Sequence, residues 1–248
     1  GKGAEQGILI KDAESLEIAK KIDTIVLDKT GTITEGQPTV NRIVWTSDSK
    51  EIQHIFYSLE KLSEHPLAGA VTHYLNGETL PLTQFESITG QGVKARFNGK
   101  VYLAGNERLL EAHGLRLSEK LKETAESFTR EAQTVIWFTD EENILGIAAL
   151  SDRIKETSRT AIATLQQQGI EVVMLTGDNQ ATAQAIAAQA GISRYQAEVL
   201  PQQKAAYIKT LQQEGKHVAM VGDGINDSAA LAQADLSIAM GKGSDIAM

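Results

Sequence analysis

Three short runs of branched and aliphatic residues each stop at an acid or at a glycine-acid turn. That repeated pattern restricts the chain more than any other feature. The runs are Ile25-Val26-Leu27 before Asp28, Val172-Val173-Met174-Leu175 before Thr176-Gly177-Asp178, and Val218-Ala219-Met220-Val221 before Gly222-Asp223-Gly224. Uninterrupted apolar runs of this length read as strands buried on both faces, as in parallel sheets covered by helices. Open α/β sheets bind ligands at the carboxyl ends of their strands, so the three acid-bearing loops define one candidate site. Taken alone, Asp28 would pass for a solvated strand end. Its recurrence with two matching loops favours a shared site in which Asp28 is a candidate nucleophile.

The stretches between these runs fix the architecture. Helical spacing is predicted over residues 13–22, 156–168, 180–190, 202–214 and 226–234, with short strands at 8–11 and 236–240. Alternation of helix and strand implies right-handed βαβ units. The rhythm is interrupted after Thr34-Glu35-Gly36-Gln37-Pro38. Residues 39–45 alternate like a half-exposed strand, and one long helical pattern runs from about Lys50 to Asn76. Further strands follow at 85–88, 92–97, 101–104, 134–139 and 144–150, with a helix at 118–133. Asn98-Gly99 between alternating runs signals a hairpin. The expectation is an α/β domain of residues 1–36 and 146–248, split by an α+β insert of residues 37–145 with an antiparallel sheet.

Composition narrows the ligands. The 248 residues carry a formal charge of −8, which disfavours nucleic acid as a partner, so an anionic phosphate ligand needs a local lysine or metal. Cysteine is absent, excluding disulfides and thiolate metal sites from these residues. His54, His65 and His73 lack zinc-site spacing. No apolar run reaches a membrane-spanning length, and the absence of an initial Met reads as part of a longer chain.

Attack by Asp28 on phosphorus requires a metal against the phosphate charge, a cation on the phosphoryl oxygens, and hydroxyl or amide donors. Asp223 and Asp227 offer hard oxygens for Mg²⁺, while Gly222 and Gly224 let that backbone approach closely. Thr176 and the Gly177 amide stand after the second run, and Lys204 opens a helix after Leu200-Pro201. A lone lysine there would more simply be a solvated one. Phosphatases of this arrangement carry an Asp two residues after the nucleophile as acid and base. Here Thr30 stands in that position, so an acyl phosphate at Asp28 would be discharged slowly.

Asp28-Lys29-Thr30-Gly31-Thr32, Thr176-Gly177-Asp178, Lys204 and Gly222-Asp223-Gly224-Ile225-Asn226-Asp227 resemble the phosphorylation domain of P-type ATPases, within the haloacid dehalogenase-like superfamily. The resemblance spans essentially the whole chain. It implies that ATP phosphorylates Asp28, and that Asp28, the Thr30 carbonyl and Asp223 hold Mg²⁺ with Asp227 beside them. Thr176 and Lys204 would then bind the phosphoryl group. Ser63-Glu64-His65-Pro66-Leu67 is similar to the motif of heavy-metal transporters. By that likeness His65 orients adenine, and Glu60, Gly90, Gly92, Gly105 and Asn106 line the nucleotide pocket.

The ion implied is monovalent copper, and the partners are the transmembrane and actuator domains of a full-length pump, at the cytoplasmic face of a membrane. Closure at residues 36–38 and 145–151 would bring ATP to Asp28. Two competing readings are a free-standing phosphatase or phosphotransferase of the same fold and a catalytically silent ATP-sensing module. Asp152 reads as the N-cap of a helix, helped by Glu156, and Asp178 and Asn179 as braces of the Thr176 loop.

Overall fold

The computed structural model describes residues 5, 7–224 and 227–241. The chain forms two compact units, Gly1–Glu35 with Ile154–Met248, and Gly36–Arg153. In chain order the first unit opens with α1 (Ala13–Ala19) and β1 (Thr24–Asp28). The second unit contains β2 (Thr39–Trp45), α2 (Lys50–Lys61), α3 (Pro66–Leu75), β3 (Thr83–Ile88), β4 (Gly92–Phe97) and β5 (Lys100–Gly105). It closes with α4 (Glu107–Ala112), α5 (Glu119–Arg130), β6 (Thr134–Asp140) and β7 (Ile144–Ser151). The first unit then resumes with α6 (Glu156–Gln167), β8 (Glu171–Leu175), α7 (Gln180–Ala190) and β9 (Arg194–Gln196). Its last elements are α8 (Pro201–Gln213), β10 (Val218–Gly222), α9 (Ser228–Gln233) and β11 (Leu236–Ala239).

The fold is α/β, with a parallel sheet in the first unit and an antiparallel sheet in the second. The parallel sheet has the order β11-β10-β1-β8-β9. Strand order runs outward in both directions from β1, so the three acid-bearing loops leave adjacent strand ends. Leu27 aligns with Val221 of β10 and Asp28 with Leu175 of β8. The core of this unit gathers Val26, Val173, Leu175, Met220, Ile208 and Leu211, as expected for runs buried on both faces.

The antiparallel sheet has the order β2-β7-β6-β5-β4-β3. Alternate residues of β6 serve two cores. Ile136 and Phe138 meet Ile55, Phe56 and Leu59 of α2, and Val135 and Trp137 meet Leu110 of α4 and Phe128 of α5. Phe56 stacks on Phe138 with ring centroids 4.6 Å apart.

Several expectations are corrected. The helical pattern from Lys50 to Asn76 is broken into α2 and α3. Pro66 lacks an N–H and disfavours helix at the residue before it, so His65 is extended (φ −71, ψ 138). Residues 8–11 pair with no described strand, and α1 ends at Ala19. The short elements α4 and β9 carry too little periodicity to be read from the sequence. The return crossing lies later than the expected 145/146, because β7 pairs with both β2 and β6 along its length. Antiparallel pairing keeps the chain extended to the Thr34–Ile154 bridge, so α6 starts at Glu156 with Lys155 in the cap position. Asp152 is therefore not a helix cap; its Oδ1 accepts from the Gln37 N–H at 3.2 Å. Ile225 and Asn226, inside the last motif and at the start of its expected helix, lie outside the described residues, as do the residues from 242 onward.

Candidate active site

Asp28 ends β1 and is 6% exposed; Lys204, on the first turn of α8, is 7% exposed. Pro201 starts α8, and Gln203 Oε1 accepts the Leu200 N–H at 2.9 Å, which fixes the helix entry and the direction of Lys204. The Lys204 ammonium donates to Asp28 Oδ1 at 2.8 Å and to Asp227 Oδ1 at 2.6 Å. Sequence reasoning left a solvated lysine open as an alternative; the structure buries it between two carboxylates.

One ammonium does not neutralise two buried carboxylates. Burial pushes the Asp28 carboxyl up to about 6; Lys204 draws it back, and the Asp227 charge raises it further. Burial pulls the Lys204 ammonium down, but Asp28 and Asp227 outweigh it and the net shift is upward. Above pH 6 Asp28 is therefore largely ionised and held less comfortably than in water, a state suited to nucleophilic attack. Its Oδ2 makes no hydrogen bond among the described residues.

Asp227 is 1% exposed, and its Oδ2 accepts the Asp223 N–H at 3.3 Å. Both of its oxygens are thus engaged, which makes it a brace for Lys204 and for the Asp223 loop. Gly222 makes room for it: a Cβ there would lie 2.3 Å from Asp227 Oδ2. Among the described residues, no group of three or more acids and histidines converges as a metal cluster. Mg²⁺ does not require one, since it takes one or two carboxylates and keeps several waters. An added cation with a preference for hard oxygens fits the excess negative charge around Lys204.

The second loop is tied to the first. Asp178 Oδ2 accepts from the Lys29 ammonium at 2.6 Å and from the Thr176 hydroxyl at 2.8 Å, and the Asp178 N–H donates back to Thr176 Oγ1 at 3.1 Å. Lys29 is itself buried, a role missed in the sequence although it stands inside the first motif. Asn179 caps α7 through the Thr182 N–H. A Cβ at Gly177 would meet only Val199 O at 3.7 Å, an ordinary contact, so what this position offers is its amide beside the start of α7.

The expected nucleotide residues form one tight group and two outliers. Gly92 and Gly105 face each other across β4 and β5. A Cβ on Gly92 (φ +152) would lie 2.1 Å from Ala104 O, and one on Gly105 would lie 2.1 Å from Gln91 O. Asn106 closes the group, its Nδ2 donating to Gly90 O and its N–H to Gln91 O, both at 2.8 Å. Glu60 lies in the last turn of α2, which packs on β4 and β5, and is 5% exposed; its carboxyl has no hydrogen-bond partner among the described residues. Burial alone pushes its carboxyl up to about 8. His65 stands before α3, and its Nδ1 accepts the Leu67 N–H at 3.2 Å, so the neutral ring carries its proton on Nε2. No hydrogen bond among the described residues joins the Glu60 carboxyl to the glycine group.

Comparison with known proteins gives the family. The sequence profile of haloacid dehalogenase-like hydrolases matches residues 22–235. A probable copper-importing P-type ATPase A of Enterococcus hirae is 48% identical over 253 residues, covering 100% of this chain and 34% of the relative. The probable copper-transporting ATPase PacS of Synechococcus elongatus is 45% identical, with 100% of this chain and 34% of its own length covered. The chain thus spans about a third of the length of these curated relatives. The solved catalytic domain of the CPx-ATPase CopB-B superposes with a TM-score of 0.77 at 28% identity, over 99% of this chain and 88% of that one. A zinc-transporting PIB-type ATPase in its E2.Pi state gives 0.62 at 31% identity, over 98% and 40%. The chain belongs to the haloacid dehalogenase-like hydrolase family, and its relatives within that family are heavy-metal P-type ATPases.

Proposed function

We propose that this chain is the ATP-binding and phosphorylated unit of a heavy-metal pump, with Asp28 as the phosphoryl acceptor. The observation that carries the reading is the buried Asp28 carboxylate, paired through Oδ1 to Lys204, with Thr30 where a hydrolase of this fold would carry its second acid. One Asp28 oxygen bonds to the γ-phosphorus of ATP as the bond from that phosphorus to the β–γ bridging oxygen breaks, and ADP leaves with the electron pair. Lys204 stays within reach of the acceptor and of the arriving phosphoryl oxygens, and Thr176 and the Gly177 amide supply further donors. Mg²⁺, held by Asp28, the Thr30 carbonyl and Asp223 with Asp227 bracing that loop, would neutralise charge on the transferring group.

Without an acid at residue 30 to activate water, the aspartyl phosphate persists. Such a species suits a transport cycle better than simple hydrolysis. The nucleotide itself is held by the insert, through Glu60, His65 and the group of Gly90, Gly92, Gly105 and Asn106. The names of the relatives support copper as the transported ion, and the monovalent form is the one the sequence resemblance implies. Transmembrane and actuator domains are the implied partners, at the cytoplasmic face of a membrane. No helix among the described residues is long and apolar enough to cross one.

The test is labelling with γ-³²P-ATP and Mg²⁺, followed by acid quench. Wild type should retain label that hydroxylamine releases, whereas Asp28→Asn should retain none and still bind a nonhydrolysable ATP analogue with unchanged affinity. Label on the Asp28→Asn chain defeats the proposal. Rapid multiple turnover of small phosphoesters would support a free-standing phosphatase instead.

A further inference from the structure

The loop that follows Asp28 has its shape imposed from outside. Gly31 sits at φ +76 and Thr30 at φ −75, ψ 122, so residues 29–33 lack regular helical support. Three of the four peptide planes between Thr30 and Thr34 are nevertheless pinned. In the first, the Gly31 N–H donates to Thr34 Oγ1 at 3.2 Å. A planar trans peptide points its carbonyl away from its N–H, so this bond also aims the Thr30 carbonyl. In the second, the Gly31 carbonyl accepts from Lys155 Nζ at 2.9 Å. In the last, the Ile33 carbonyl accepts from the Lys155 N–H at 3.0 Å and from Ser158 Oγ at 2.8 Å, while the Thr34 N–H donates to Lys29 O at 3.0 Å.

Lys155 thus holds this loop twice, through backbone and side chain. It does so from the first residue after the Thr34–Ile154 bridge, where the pairing of the two crossing strands fixes its position. Its side chain is half-buried, and no carboxylate pairs with its ammonium among the described residues. A charged donor directed at a backbone carbonyl makes a stronger bond than a neutral one. Ser158 is buried, and its hydroxyl has the Ile33 carbonyl as its partner.

We infer that Lys155, seconded by Ser158, is a positioning residue for the phosphoryl-acceptor loop: through the carbonyls of Gly31 and Ile33 it sets how Asp28 and the Thr30 carbonyl are presented. The inference rests on the reading of Asp28 as acceptor, but its first readout does not. Lys155→Met keeps the aliphatic stem and removes the ammonium. Amide hydrogen exchange at Gly31 and Thr34 should rise on the order of tenfold, the worth of one such bond, with Val173 in β8 unmoved. Phosphoenzyme formation should slow by a similar factor at unchanged half-saturating ATP. Lys155→Arg, which restores a charged donor, should recover both.

Unchanged exchange at Gly31 and Thr34 overturns the inference, as does slower labelling that Lys155→Arg does not rescue. Should Lys155→Met fail to fold, Ser158→Ala should raise exchange at the Thr34 amide by about threefold, and silence there overturns it equally. A wild-type chain that takes no label, yet responds in exchange to Lys155→Met, sinks the phosphorylation reading and leaves the loop-holding role standing.

Discussion

Two buried acids in this molecule are provided for in opposite ways. Asp28, at the end of β1, shares Lys204 with Asp227, and the neighbouring loop carries its own Lys29–Asp178 pair. Glu60, in the insert, is buried just as deeply, and its carboxyl has no partner among the described residues. The consequence is a difference in charge. Asp28 titrates near 6 and is mostly a carboxylate at neutral pH, whereas Glu60, raised to about 8, is mostly a neutral acid. A protonated carboxyl donates one hydrogen bond and accepts others, which suits an uncharged base better than a phosphate. Burial by itself therefore says little about a site; the partners supplied at that depth say what the acid can do.

The comparison breaks most visibly at Lys204. Lys204→Met leaves Asp28 and Asp227 buried without their shared cation and should destabilise the first unit by about 3–5 kcal/mol in denaturant unfolding. A loss below about 1 kcal/mol would mean that the carboxylates reach water and that the triad is not a buried network.

Glu60→Gln should act in the opposite direction. The folded pKa of Glu60 is raised, so its contribution to stability is full below pH 4.5 and is lost as pH rises through about 8. The amide has no such cost, and the variant should be more stable than wild type by roughly 3 kcal/mol at pH 7, with the two converging near pH 4. Parallel stability curves across that range would show that Glu60 has a partner or water access after all.

The smallest effect tests space instead of charge. Gly92→Ala directs a Cβ at the Ala104 carbonyl at 2.1 Å and should cost about 2 kcal/mol in the second unit, with weaker binding of an ATP analogue. An unaltered unfolding midpoint would show that β4 and β5 can part there without cost.

What the sequence made legible follows from how local each signal is. The runs ending at Asp28, Leu175 and Val221 are continuous, apolar and bounded, so both the strands and their shared end could be read directly. The Asn98-Gly99 hairpin was legible, but the register that sets Gly92 opposite Gly105 is fixed only by how β4 and β5 pair along their whole length. The burial of Glu60 was hidden beside Leu59, since a charged residue next to an apolar stripe normally faces water. Asp152 was misread because helix capping is a local rule, and its partner Gln37 lies across the insert. Lys155 gave no signal at all; two of the bonds that define it reach back across the insert to Gly31 and Ile33.

The bridge between Thr34 and Ile154 has a consequence for ancestry. Where the chain departs from the parallel sheet and where it rejoins it are neighbours, so a short turn could join these two points without disturbing any strand order. A whole lobe can thus be gained, exchanged or deleted at that doorway, and the parallel sheet need not register the event.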